Sequence, residues 1–180
     1  MKARFSLLLG TALVTLGAAS HAQIERLTLT QMVSATDDGV LGTIVSREVF
    51  RVDHPVDGPE LYYTNMVVQG QSIKTGAETQ ITITFPGGWI DRDNGVDNSE
   101  APTANETSVG REVFAFHKWI DNMGGDVAGN ALYASHGGLY TTFENRKGVT
   151  VLQGRGPGYA IERNVAVGVL RNQIAQILQK

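Results

Sequence analysis

The chain contains no cysteine. Disulfides, thiol catalysis, cysteine-ligated zinc and a lipid-modified cysteine are thereby excluded, so a folded domain must rest on its packed core. Basic residues are also in deficit. The 15 Lys and Arg include Lys2 and Arg4, so beyond residue 22 only 13 face 18 Asp and Glu, a net charge of -5. That sign speaks against nucleic acid as a partner, because affinity for phosphates comes largely from Lys and Arg, and against attachment to anionic lipid. Past the first 22 residues no uncharged apolar run approaches the roughly 20 residues of a spanning helix. The sequence also lacks a His-Glu-x-x-His motif, a Gly-x-Ser-x-Gly elbow, internal repeats and low-complexity tracts.

What is present begins with a three-part leader. Lys2 and Arg4 supply a positive start, residues 5–16 are mostly apolar, and Ser20-His21-Ala22 ends the segment with small residues around a cleavage site. This is the layout of a secretory signal peptide, with Gln23 the expected new N-terminus. The expected location is therefore outside the cytoplasm, periplasmic or secreted, with no membrane insertion after cleavage. Cutting 22 of the 180 residues leaves 158, enough for one self-sufficient core, and residues 23–180 are expected to form a single domain.

Hydrophobic periodicity indicates a mainly β fold. Thr28-Leu29-Thr30-Gln31 fits a capping box and predicts a short helix over 29–36. Residues 40–52 are dense in β-branched side chains and read as a strand, with Gly42 marking a bulge or the close approach of another backbone. A second strand is expected over 61–73. In 79–85, Ile81, Ile83 and Phe85 alternate with threonines, the clearest strand signal in the chain. The turn 74–78 joins these two as a hairpin. Residues 86–108 show no periodicity and are expected to form a long surface loop. Strands follow near 111–118, 131–135, 139–143 and 149–153. Val165, Val169, Leu170, Ile174, Ile177 and Leu178 then change the period to that of a helix over about 163–179. Short strands at hairpin spacing with peripheral helices predict a closed or nearly closed β-barrel, with a sandwich as the alternative.

Four segments carry a resemblance: Val40-Leu41-Gly42-Thr43-Ile44, Tyr63-Thr64-Asn65-Met66-Val67, the threonine-rich stretch ending in Pro86-Gly87-Gly88, and Val109-Gly110-Arg111-Glu112-Val113-Phe114-Ala115-Phe116. In this order they resemble a group of exported bacterial proteins of unknown function. More distantly the layout is similar to netrin-like modules, whose OB-type barrels include the tissue inhibitors of metalloproteinases. The resemblance implies a small OB-like or netrin-like β-barrel, here with a short N-terminal helix and an amphipathic C-terminal helix. The inhibitors act through an N-terminal cysteine, and that mechanism does not carry over to a chain without one.

Candidate chemistry is sparse. In 91–100, Asp91, Asp93, Asp97 and Glu100 alternate around Gly95 as calcium ligands do, but glycine and glutamate are fifth and tenth from Asp91, where an EF-hand loop has them sixth and twelfth. A structural calcium ion is thus one expectation and an ordinary solvated loop the other. His54 stands beside Asp53 and Asp57, and convergence with His117 and His136 would make a metal or acid–base site. Ser135 and His136 are adjacent, which on a strand would point them to opposite faces. Gly154-Arg155-Gly156-Pro157-Gly158 lacks the Gly-Lys-Ser/Thr ending of a phosphate loop and reads as a turn returning the last helix to the barrel. Asn105-Glu106-Thr107 has the form of a glycosylation sequon and marks an exposed loop. Among aromatics, Tyr62, Trp89 and Trp119 are the candidates for a recognition surface, Trp89 first because it opens the long loop. The leading expectation is a non-enzymatic binding domain for an extracytoplasmic protein or glycan, with Trp89, Asp91, Asp93, Asp97 and Trp119 as its surface. A small hydrolase using histidine and carboxylate groups, or a calcium-stabilised domain, is the alternative.

Overall fold

The computed structural model describes residues 26–179, so the signal segment expected over 1–22 lies outside the described residues. The first element, α1 (Leu29–Ala35), starts where Thr28 accepts from the Gln31 amide and the Gln31 side chain accepts from the Thr28 amide, the reciprocal bonds of the capping box. It ends where the Thr36 hydroxyl donates back to the Met32 carbonyl. The next elements are β1 (Asp38–His54), β2 (Gly58–Ser72), β3 (Glu78–Pro86), the two-residue β4 (Gly88–Trp89) and β5 (Gly95–Val96), and β6 (Glu112–Ile120). They are followed by β7 (Gly129–Leu132), a 3-10 turn over Ser135–Gly138, β8 (Leu139–Glu144), β9 (Thr150–Leu152), β10 (Val165–Ala166) and α2 (Val167–Leu178). No helix among the described residues is long and apolar enough to cross a membrane.

β1, β2, β3, β7 and β6 pair in that order, and β6 pairs back onto β1, which closes a five-strand barrel. All of these pairs are antiparallel except β3 with β7. The expected mainly β fold is therefore present, a closed five-strand barrel with the short helix α1 before it and the C-terminal helix α2 after it. β6 carries the architecture: one edge takes β1, while the other takes β7 along 117–120 and β8 along 113–115. β8, β9 and β10 continue outward from it as a flap.

The alternation of β6 divides the core in two. Val113 and Ala115 point into the barrel with Val40, Ile44, Met66, Val68, Ile83, Phe85, Leu132 and Leu139. Phe114 and Phe116 point the other way, edge to face with centroids 4.7 Å apart, and pack under α1 and α2 with Met32, Val33, Tyr140, Leu170 and Ile174. A strand buried on both faces holds the barrel and the helical layer as one unit.

Three sequence expectations need adjustment. Residues 131–135 do not continue as a strand: Ala134 and Ser135 take left-handed backbone, and the chain turns through Gly137-Gly138. The last helix begins at Val167, because Val165 and Ala166 first pair with Leu152 and Val151. Residues 86–108 are more than a surface loop. They contain the β4–β5 hairpin, bury Pro102 and Thr107, and are strapped to the barrel.

Candidate functional site

The strap is attached at both ends. At its start the Thr64 hydroxyl donates to the Gly87 carbonyl (2.7 Å) and the Gly87 amide donates to Tyr62 (2.7 Å). At its end Arg47 Nε donates to Thr107 Oγ1 (3.2 Å), and the Gly110 amide and Arg111 carbonyl bond Ile44. Between these ties the strap stands off the β1–β2–β3 surface and leaves two cavities, of about 590 Å³ and about 390 Å³. Gly87 and residues 96–99 line both. The larger is completed by Arg47, Phe85, Trp89, Ala101 and Pro102, and the smaller by Tyr62 and Tyr63.

Trp89 sits at the lip of the larger cavity, 46% exposed, with its indole Nε1 donating to Asp97 Oδ1 at 2.8 Å across the β4–β5 hairpin. That bond holds the ring in place without covering it. Ile90 and Val96 beside it are 50% and 44% exposed, so the hairpin presents an apolar patch continuous with the groove. Tyr62 is buried, and Trp119 is exposed on β6, its indole bonded to Asp121; it lines neither cavity. Of the three aromatic candidates, Tyr62 and Trp89 line a cavity, and Trp89 is the one that does so with its ring exposed.

The four carboxylates of the calcium expectation are not brought together. Asp91 accepts from the amides of Asp93 and Asn94 and from the Asn94 side chain, closing its own turn, and the Asp93 amide bond foremost holds its carboxyl below the ordinary value. Asp97 is engaged by Trp89, Asp93 contributes its backbone to the Asp91 turn, and Glu100 faces Ser135 at 3.4 Å. Among the described residues no three His, Asp or Glu side chains are grouped so as to hold a metal ion.

The histidines also lie apart. His54 Nδ1 accepts from the amides of Val56 and Asp57 (3.3 and 3.0 Å), which assigns the ring proton of the neutral form to Nε2, 3.3 Å from Asp126. Both nitrogens are committed, and with the Gly125 amide donating to Asp57 they staple the β1–β2 hairpin tip to the 121–126 loop. Asp53 instead takes Arg51. His136 Nδ1 faces the Glu100 carbonyl (3.1 Å), an acceptor only, so Nε2 is left to accept from the Tyr159 hydroxyl (3.3 Å). Ser135 turns to Glu100 rather than to His136, so the adjacent pair forms no nucleophile–base contact.

His117 is buried on β6 with Nδ1 unpartnered. Burial pushes it below its ordinary 6.5, outweighing the opposing pull of Asp38 and Asp37. The unfolded chain therefore binds a proton below about 6.5 that the native chain refuses. Stability is full above that pH and declines as the pH falls toward the native value. Thermal melts between pH 7.5 and 5.5 should show this decline, and it should flatten in His117→Gln.

A third cavity, of about 320 Å³, is one that the sequence reading did not anticipate. It is lined by Asn105, Glu106, Arg111, Thr141, Gln153, Gly154, Arg155 and Tyr159. Arg155 donates from Nε to the Leu139 carbonyl (2.8 Å) and from Nη2 to Glu106 Oε1 (2.6 Å), with its guanidinium 5.9 Å from the Tyr140 ring. Burial raises the Glu106 carboxyl, but bonds from the Thr103 amide and hydroxyl together with Arg155 outweigh it and leave the group below the ordinary value. Thr103-x-x-Glu106 makes the reciprocal bonds of a capping box around the single turn closed by Thr107. That spacing was the available sequence signal. Nothing in the glycine-rich stretch around Arg155 announces its partner, 49 residues away. Comparison with protein-family models, with curated proteins and with solved structures finds no match to this chain.

Proposed function

We propose that this chain is an exported, non-enzymatic binding domain that takes up a segment of an extracytoplasmic protein in the groove between the 86–108 strap and the barrel. The signal-like segment 1–22 supports export, and the OB-like strand order supports the resemblance to netrin-like modules as scaffolds that carry grafted sites. The observation that carries the reading is Trp89, held by Asp97 at the lip of an open groove while its apolar ring stays exposed. A large, rigid aromatic on a fixed hairpin buries much area on binding at small entropy cost, which is why tryptophan dominates many interfaces. The neighbouring Ile90 and Val96 extend the apolar surface, and Arg47, Asp97, Asn98 and Ser99 supply a polar rim.

The test is capture of partners by residues 23–180 from the producing cell's own envelope and culture fluid, beside Trp89→Ala and Trp119→Ala variants. Trp89→Ala should weaken capture at least about tenfold while leaving the melting temperature almost unchanged, since its ring supports no core. Trp119→Ala, equally exposed but outside the groove, should capture as the parent does. Equal capture by all three forms would refute the groove as the site.

A further inference from the structure

We propose that the cavity between Arg111 and Arg155 is a second binding site, specific for one small sugar acid whose carboxylate is held by Arg111. The site is separate from the Trp89 groove, and the inference does not rest on the function proposed for that groove.

The charge of the cavity is the first argument. Arg111, Arg155 and Glu106 are its ionised lining groups, and Glu106 is already consumed: one oxygen takes Arg155, the other takes Thr103. Arg155 is equally committed, to Glu106 and to the Leu139 carbonyl. Arg111 gives one bond, from Nη2 to Asn105 Oδ1 at 3.1 Å, of the five N–H donors a guanidinium has. Its bond is to a neutral amide, whereas Arg155 is ion-paired with Glu106. Among the described residues Arg111 is thus the lining cation whose charge is unpaired, and a planar carboxylate is the anion that a guanidinium fork fits in bidentate fashion. Its backbone does not drift, because the Arg111 carbonyl accepts from the Ile44 amide at the barrel seam.

Size and lining are the second argument. At about 320 Å³ the cavity exceeds what an inorganic anion fills and lies at the low end of the roughly 300–1,000 Å³ range of small-molecule sites. The rest of its wall is uncharged and hydrogen-bonding. Thr141 and Gln153 are joined by a 3.3 Å bond, Asn105 offers an amide, and Tyr159 supplies a ring whose hydroxyl is tied to His136. One positive charge over a wall of neutral donors and acceptors matches one negative charge on a polyhydroxylated body.

Glucuronate, glucose and inorganic phosphate distinguish this from simpler sites. In low-salt titrations of residues 23–180 followed by amide NMR, glucuronate is expected to saturate with shifts at Gln153 and Gly154. Glucose should bind at least about tenfold more weakly, the effect of losing a charge-assisted hydrogen bond, and phosphate no better than glucose. Arg111→Gln should abolish the preference for glucuronate over glucose. Gln153→Leu, which leaves Arg111 in place, should weaken both sugars and keep the preference. Phosphate binding as tight as glucuronate would overturn the sugar acid in favour of a bare anion site. Equal affinity for glucose and glucuronate, unchanged binding in a folded Arg111→Gln, or no saturation by any probe at millimolar concentration would each overturn the site.

Discussion

Gly42→Val is expected to lower the melting temperature by roughly 10 °C or more, the consequence of about 3 kcal/mol or more of overpacking in a domain of this size. Gly42 on β1 is paired with Gly70 on β2 and with Val113 on β6, at the point where β1 is claimed by strands on both edges and the sheet bends to close. A Cβ placed on Gly42 would strike the Gln69 carbonyl and lie 2.7 Å from the Gly70 Cα; one on Gly70 would strike the Leu41 carbonyl. These obstacles are backbone, not flexible side-chain ends, so relief requires the two strands to part, and the barrel seam with them. Gly168→Ala is the informative control. Nothing lies within 4 Å of its would-be Cβ and the position is helical, so it should be neutral or stabilising by up to about 1 kcal/mol. Melts followed by circular dichroism decide the matter: equal effects at the two positions would remove the close approach of β1 and β2 as the reason glycine is required.

Gly42 also shows where a sequence is informative and where it stops. A lone glycine inside a β-branched run signalled that another backbone comes near, and β2 is that backbone. The capping box at Thr28 and Gln31 and the strands with strict alternation were legible to within two or three residues, because their signals are local. Closure was less legible. The parallel β3–β7 pair joins Ile83 to Asn130 and Thr84 to Ala131, and four residues of β7 give no period long enough to read. The strand near 111–118 was legible, but nothing local told that Val113 and Ala115 would face a barrel while Phe114 and Phe116 would face two helices.

The candidate sites divide in the same way. Trp89 could be picked out because an aromatic after Pro86-Gly87-Gly88 at the head of a long polar segment has no core position to fill. Asp91, Asp93, Asp97 and Glu100 had the right composition for a metal loop, yet hydrogen bonding within the turn and to Trp89 separated them. Spacing specifies which side chains are near in sequence, and in a tight turn the nearest donors are the backbone amides of that same turn. The cavity around Arg155 was the least legible, since its walls come from the strap, from β8, and from the glycine-rich stretch after β9. No local pattern encodes a contact among three such segments.

Arg155→Ala tests how much those three segments depend on one side chain. The guanidinium ties Leu139 at the start of β8 to Glu106 on the strap, from a loop whose Gly154 admits the Arg163 backbone so closely that a Cβ would strike it. The Arg155 and Glu106 side chains are 20% and 24% exposed, so the pair is neither fully screened nor fully dry. Truncation leaves a largely buried carboxylate with only Thr103 for support and the Leu139 carbonyl without its donor, and a loss of about 2 kcal/mol is expected, below the 3–5 of a fully buried pair. Arg155→Ala with Glu106→Gln should cost less than the sum of the single changes, because the second removes the charge that the first strands. The pH dependence gives an independent reading. Glu106, held below its ordinary value, contributes stability that is present above the unfolded carboxyl's pKa and is lost as the pH falls through the native one. Without Arg155 that acid limb should flatten. Additive energies in the cycle together with an unchanged acid limb would reduce Arg155 to packing over Tyr140, whose phenol burial pushes up to about 12. Coupling with a flattened limb would identify the ion pair as the clamp that sets the distance between the strap and the flap, and so the width of the cavity they enclose.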